Sequence, residues 1–160
     1  MRNALVSTAC LLLIFGTQIG AQRPAAPAAP AAVKPLFDEV SGWLIASAEL
    51  VPADKYGYKP VDTVRSFGQL MAHAADGMIW YCGSATAASD IPWSDATEKS
   101  ATTKAAIVAA LKSAAGKCAA AYAAPAARID RLAGNIGHAN LHYGNAITYI
   151  RMLGLKPPSS

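Results

Sequence analysis

The chain has 160 residues, 53% hydrophobic and 15% charged, with 14 lysines and arginines against 10 aspartates and glutamates. That length fits one domain. The formal charge of +4 is scattered, with no basic cluster interleaved with aromatics, so the composition argues against a nucleic-acid partner.

Arg2 precedes the apolar run ALVSTACLLLIFGTQIGA, which ends on Gly20 and Ala21. A positive start, a short apolar stretch and small residues before Gln22 are the pattern of a signal peptide over residues 1–21. The run barely reaches spanning length and includes Ser, Thr and Gln, so no stable membrane insertion is expected after cleavage. Cys10 lies before the apolar centre, against a lipoprotein signal. The expected product is exported, periplasmic or extracellular. Losing Arg2 leaves a charge of +3, from 13 basic and 10 acidic residues.

Residues 22–35, QRPAAPAAPAAVKP, read as a Pro/Ala-rich linker with little to bury. The folded domain is then expected over 36–156, with 157–160 as a tail. Leu36, Val40, Trp43, Leu44 and Val51 follow a helical period and predict a first helix, with Pro35 at its start. PADKYGYKPVDTV reads as a loop because of Pro52, Gly57 and Pro60. Ser66 and Gln69 form a capping-box pattern, so a second helix is expected from there to about Ser84. SATAASDIPWSDATEKSA reads as a polar connection around Pro92. A third helix starts near Thr103, with Ile107, Leu111, Ala114, Cys118 and Tyr122 at helical spacing.

The fourth helix carries two neighbouring stripes. Leu132, Ile136, Ala139, Tyr143, Ile147 and Ile150 form the apolar one; Asn135, His138, His142, Asn145 and Tyr149 run beside it. Gly134, Gly137 and Gly144 each cost about 1 kcal/mol relative to alanine, which predicts a close neighbour or room for a ligand. Gly154 and Pro157 stop the helix. Nothing reads as strand, and four amphipathic helices predict an all-α four-helix bundle.

His138 and His142 are four residues apart, so a helix places them on one face. His73, the third histidine, falls on the second helix. Three imidazoles from two helices can form an open site for one divalent metal ion, with zinc or nickel favoured by the nitrogen donors. Neutral imidazole is the ligating form, and an ordinary pKa near 6.5 places proton competition at about pH 6 to 5. Ala139 stands where the HExxH motif has its glutamate, which argues against a metalloprotease. Asp76 and Trp80 on the second helix, and Asn145 and Tyr149 on the fourth, are candidates to orient a ligand or line a pocket; no catalytic residue is assigned. Cys82 is nine residues after His73, about 900° round the helix and about 13.5 Å along it. It therefore points away from the metal, and pairing with Cys118 as a disulfide fits an oxidising compartment better.

The segments RSFGQLMAHAADGMIWYC and GHANLHYGNAITYIRMLGLKPPSS resemble the DinB/YfiT-like superfamily of metal-dependent four-helix-bundle proteins. More narrowly they resemble its exported, single-domain bacterial members, down to the H-x-N-x-H-Y-G run. That resemblance implies a metal triad at His73, His138 and His142. It also implies thiol-dependent transferase or isomerase activity in some members, so a small-molecule substrate and a low-molecular-weight thiol are candidate partners. A metal-dependent enzyme and a non-catalytic bundle with a structural or sensing metal both stay open, as does a homodimer.

Overall fold

The computed structural model describes residues 28–160. The expected signal peptide and the first part of the expected linker lie outside the described residues. Five helices follow in order: α1 (Ala29–Leu50), α2 (Phe67–Thr86), α3 (Ala96–Ser100), α4 (Lys104–Ala123) and α5 (Ile129–Met152). No strand occurs among the described residues, so the fold is all-α.

Helix α1 begins at Ala29, well ahead of the expected Leu36, and takes in residues assigned to the linker. Pro30 lies in its first turn, where the missing N–H costs nothing. Pro35 forgoes only the bond to the Ala31 carbonyl. Burial of Pro30, Phe37, Val40 and Leu44 against the other helices offsets that loss. Alanine-rich sequence is also the best intrinsic helix former, so the composition that read as spacer supports helix once an apolar face exists to dock it.

The capping box of α2 is present as expected. Ser66 Oγ accepts from Gln69 N–H at 3.2 Å, and Ser66 N–H donates to Gln69 Oε1 at 2.9 Å. Thr103 caps α4 by accepting from Ala106 N–H at 3.2 Å. At the other end of α5, Gly154 adopts φ 75°, a conformation glycine takes without cost. Gly154 N–H then reaches Arg151 O at 2.9 Å and Leu155 N–H reaches Ile150 O at 3.0 Å, which closes the helix.

The four long helices pack around one core. Helices α1 and α2 each lie against both α4 and α5, and touch one another little. Phe37, Leu44, Phe67, Met71, Met78, Leu111, Tyr122, Leu132 and Ile150 fill the interior. Phe37 stacks on Tyr122 with ring centroids 4.5 Å apart, which ties α1 to α4. Cys82 of α2 and Cys118 of α4 stand at disulfide distance, with Cα atoms 5.2 Å apart. No helix among the described residues is long and apolar enough to cross a membrane.

The connection from α2 to α4 is more structured than its composition predicted. It contains the short helix α3 and is strapped to the fold at several points. Trp80 Nε1–H donates to Ile91 O at 2.8 Å, and Ile91 N–H donates to Ser84 Oγ at 3.1 Å. Asp90 is gripped by Arg128 Nη1 at 2.8 Å and by Arg131 Nε at 2.8 Å.

Candidate metal centre

Packing α2 against α5 brings His73 up to His138 and His142. One nitrogen from each lies within 4.8 Å of the other two. Nε2 of His138 and Nε2 of His142 are 3.0 Å apart. The His73 ring centroid is 5.3 Å from that of His138 and 4.8 Å from that of His142. Imidazole nitrogens bind zinc at about 2.0–2.1 Å, which separates neighbouring ligands by roughly 3–3.5 Å. The pair on α5 has that spacing. The three histidines therefore form a grouping that could hold a metal ion.

The approach of the two helices depends on Gly77. A Cβ on Gly77 would lie 2.2 Å from Cε1 and 2.5 Å from Nδ1 of His138. The His138 ring occupies the space a side chain would fill, and its position follows from that vacancy. Gly134 serves the same purpose for Tyr81, whose Cε1 would meet its Cβ at 2.6 Å. Gly137 and Gly144 do not match the expectation of a close neighbour: both are exposed, with nothing within 4 Å of an added Cβ.

Burial keeps the imidazoles neutral. His142 is 8% exposed and His138 half-buried. The pKa of each is lowered to about 4, first by burial and then by the neighbouring histidines and Arg65. The His73 pKa is also lowered, by burial first and Arg65 second, although Glu98 and Asp76 pull the other way. Among the described residues, Nδ1 of His142 is buried without a hydrogen-bond partner. Three neutral nitrogens converging among so few donors fit a divalent cation, which requires unprotonated imidazole.

Glu98 is the neighbour that the sequence did not single out. Its Oε2 is 3.4 Å from His73 Nδ1, an ion-pair approach without hydrogen-bond geometry. Its Oε1 accepts from Arg65 Nε at 2.9 Å. With Nδ1 turned to a carboxylate, Nε2 is the His73 nitrogen left for an ion, the arrangement typical of metal-binding histidines. His73, Asp95 and Glu98 also bring ligand atoms within 4.8 Å of one another. Asp95, however, accepts from Trp93 Nε1 at 2.6 Å and pairs with Lys99 at 3.5 Å.

Asp76 acts through α3. It is 3% exposed, and its two carboxylate oxygens accept from Thr97 N–H at 3.0 Å and Glu98 N–H at 2.9 Å. The residue before α3, Asp95, makes no cap bond of its own. Asp76 thus supplies the cap from another helix and fixes where Glu98 meets His73. Trp80 is half-buried and holds the strap at Ile91. Trp93 is the tryptophan nearer the site, with its ring 5.5 Å from His73. Neither Glu98 nor Trp93 had a spacing signal, because both sit on the connection.

Asn145 and Tyr149 reach the other side of His142. Together with Arg65, Leu70 and His142 they line a cleft of about 390 Å³. Asn145 is exposed, while Tyr149 is 7% exposed and donates its hydroxyl to Arg65 O at 3.0 Å. A larger hollow of about 710 Å³ lies by Glu49, Lys104 and Lys112, but none of the histidines lines it. Cys82 and Cys118 pair in the interior between α2 and α4, so neither cysteine belongs to the histidine centre. Comparison with known protein families, characterised proteins and solved structures gives no match to this chain.

Proposed function

We propose that the chain is an exported four-helix-bundle protein of the DinB/YfiT-like type. In this reading His73, His138 and His142 hold one divalent ion, zinc or nickel, and the centre is a metal-dependent enzyme acting on a small molecule. The carrying observation is the convergence of three neutral imidazoles within 4.8 Å. It is reinforced by a glycine cut away for one ring and a carboxylate turned to another.

When bound, such an ion polarises an oxygen or lowers the pKa of a bound water or thiol. The protein's own residues do the rest. Glu98 faces His73 Nδ1 with its carboxylate, and Asp76 keeps Glu98 in place by capping α3. Trp93 covers the His73 side, and the cleft by His142 gives access from solvent. That access favours an enzyme of hydrolase or thiol-transferase type over a structural staple, which a closed apolar site would favour. With Cys82 and Cys118 paired, the described residues offer no thiol near the site, so thiol chemistry would use an outside low-molecular-weight thiol.

The test is metal content of untagged protein. Wild type should carry one divalent ion per chain, and His138→Ala should carry none. Equal metal in both would overturn the assignment.

A further inference from the structure

The cleft beside His142 contains a guanidinium whose donors are mostly unspent. Arg65 lies at the turn into α2, and the Tyr149 hydroxyl bond to its carbonyl pins this point to α5. An arginine side chain has five N–H donors. Among the described residues only its Nε–H is engaged, on Glu98 Oε1 at 2.9 Å, and the side chain is 43% exposed. The outer edge of the fork is therefore open. No acidic residue among those described lines the cleft, and exposed Asn145 adds a donor and an acceptor to it. A volume of about 390 Å³ falls in the range of small-molecule sites.

We propose that this cleft binds the carboxylate of a small anionic substrate. Arg65 takes the carboxylate through its two terminal amino groups, Asn145 hydrogen-bonds beside it, and the remainder of the molecule lies against His142. The planar fork of arginine matches the two oxygens of a carboxylate, which a lysine cannot do. Glu98 takes the Nε–H, so it orients Arg65 while leaving the two terminal amino groups. His142 itself lines the cleft, so an anion bound there lies beside the centre. This inference names the substrate class for the site described under Proposed function and rests on that reading.

Succinate, with succinamide as its neutral analogue, is the probe. The full chain is titrated by nuclear magnetic resonance in metal-free and zinc-loaded forms, following the side-chain N–H signals of Arg65 and Asn145. Succinate should shift both signals saturably in each form. Succinamide should bind roughly tenfold to a hundredfold more weakly, the usual worth of a charged hydrogen bond. Arg65→Gln should lose succinate binding by a similar factor, and Arg65→Lys should recover only part. If Arg65→Gln does not fold, the succinate and succinamide comparison on wild type decides the matter alone. Equal binding of the two probes, wild-type affinity in folded Arg65→Gln, or no shift at either residue would overturn the proposal. A chain that takes up no zinc yet binds succinate through Arg65 would sink the metal centre and leave the anion site standing.

Discussion

Replacing Gly77 by alanine separates a metal centre from three histidines that merely pack together. On helix propensity alone the change should stabilise α2 by about 1 kcal/mol. The new Cβ, however, would sit 2.2 Å from His138 Cε1. Carbon atoms in contact prefer about 3.5–4.0 Å, so the ring must retreat by more than roughly 1 Å or the helices must part. Overpacking of this kind costs about 1–3 kcal/mol, which largely cancels the propensity gain and makes the melting temperature a poor readout. Metal affinity is the sensitive one. Ligand distances in a metal site tolerate only about 0.2 Å, so a displaced His138 no longer ligates. Changing even the outer partners of a ligand costs about 10–100-fold in affinity, and Gly77→Ala should lose at least the upper figure. The assay is competition with a chromophoric chelator on metal-free protein. Gly137→Ala is the control, because its Cβ meets nothing within 4 Å; it should keep wild-type affinity and melt slightly higher. Wild-type zinc affinity in Gly77→Ala would refute the reasoning.

Asp76→Ala removes the cap of α3, which should cost about 1 kcal/mol or somewhat more and weaken metal binding about tenfold by loosening Glu98; Asp76→Asn should fall between. Unchanged metal affinity in a folded Asp76→Ala would mean that α3 does not position His73. Peptide mapping without reductant should show Cys82 joined to Cys118, and the double serine variant should lose up to roughly 4 kcal/mol of stability for a 36-residue separation. Two free thiols in protein taken from the cell envelope would contradict this. The pH dependence follows from the two α5 histidines, lowered to about 4 against 6.5 in the unfolded chain. Between those values the unfolded state binds more protons, so metal-free protein should be steady above pH 6.5 and lose stability as pH falls towards 4. The same shift protects His138 and His142 from protonation. Chelator should therefore lower the melting temperature at pH 7.5 and still at pH 5, with the difference vanishing only near pH 4. Identical melts with and without chelator at pH 7.5 would argue against a stabilising ion.

Much of the fold was legible because its signals are local. Ser66 and Gln69 announce the start of α2 within four residues, and Gly154 announces the end of α5. The two stripes of α5 were read correctly as bordering each other: Leu132 and Ile150 are fully buried, and His142 and Tyr149 nearly so. The start of α1 was misplaced because Pro and Ala look like spacer until there is a surface for Phe37 and Val40 to dock against. Helix α3 was missed for a related reason. Five residues cannot nucleate a helix alone, and this one is held by a carboxylate twenty-one residues upstream.

The candidate site divides along the same line. Its three histidines lie on long helices, where i, i+4 spacing gathers His138 and His142 by itself and the packing of α2 on α5 adds His73. What surrounds them comes from loops and helix ends, where spacing carries no information. Asp76 holds the Glu98 N–H beside His73, and Tyr149 holds the Arg65 carbonyl beside the cleft. These two side chains also meet each other, so the connection on one side of the histidines and the cleft on the other are linked through one ion pair. The pair is 16% exposed at Glu98 and 43% at Arg65. An exposed pair contributes little to stability, which leaves orientation as its main effect: it turns one carboxylate oxygen to a histidine and the open edge of one guanidinium to solvent. A charge-conserving exchange of the two residues would preserve the ion pair and lose both orientations. The three histidines were therefore readable from periodicity, whereas their neighbours Glu98 and Arg65 had to wait for the fold.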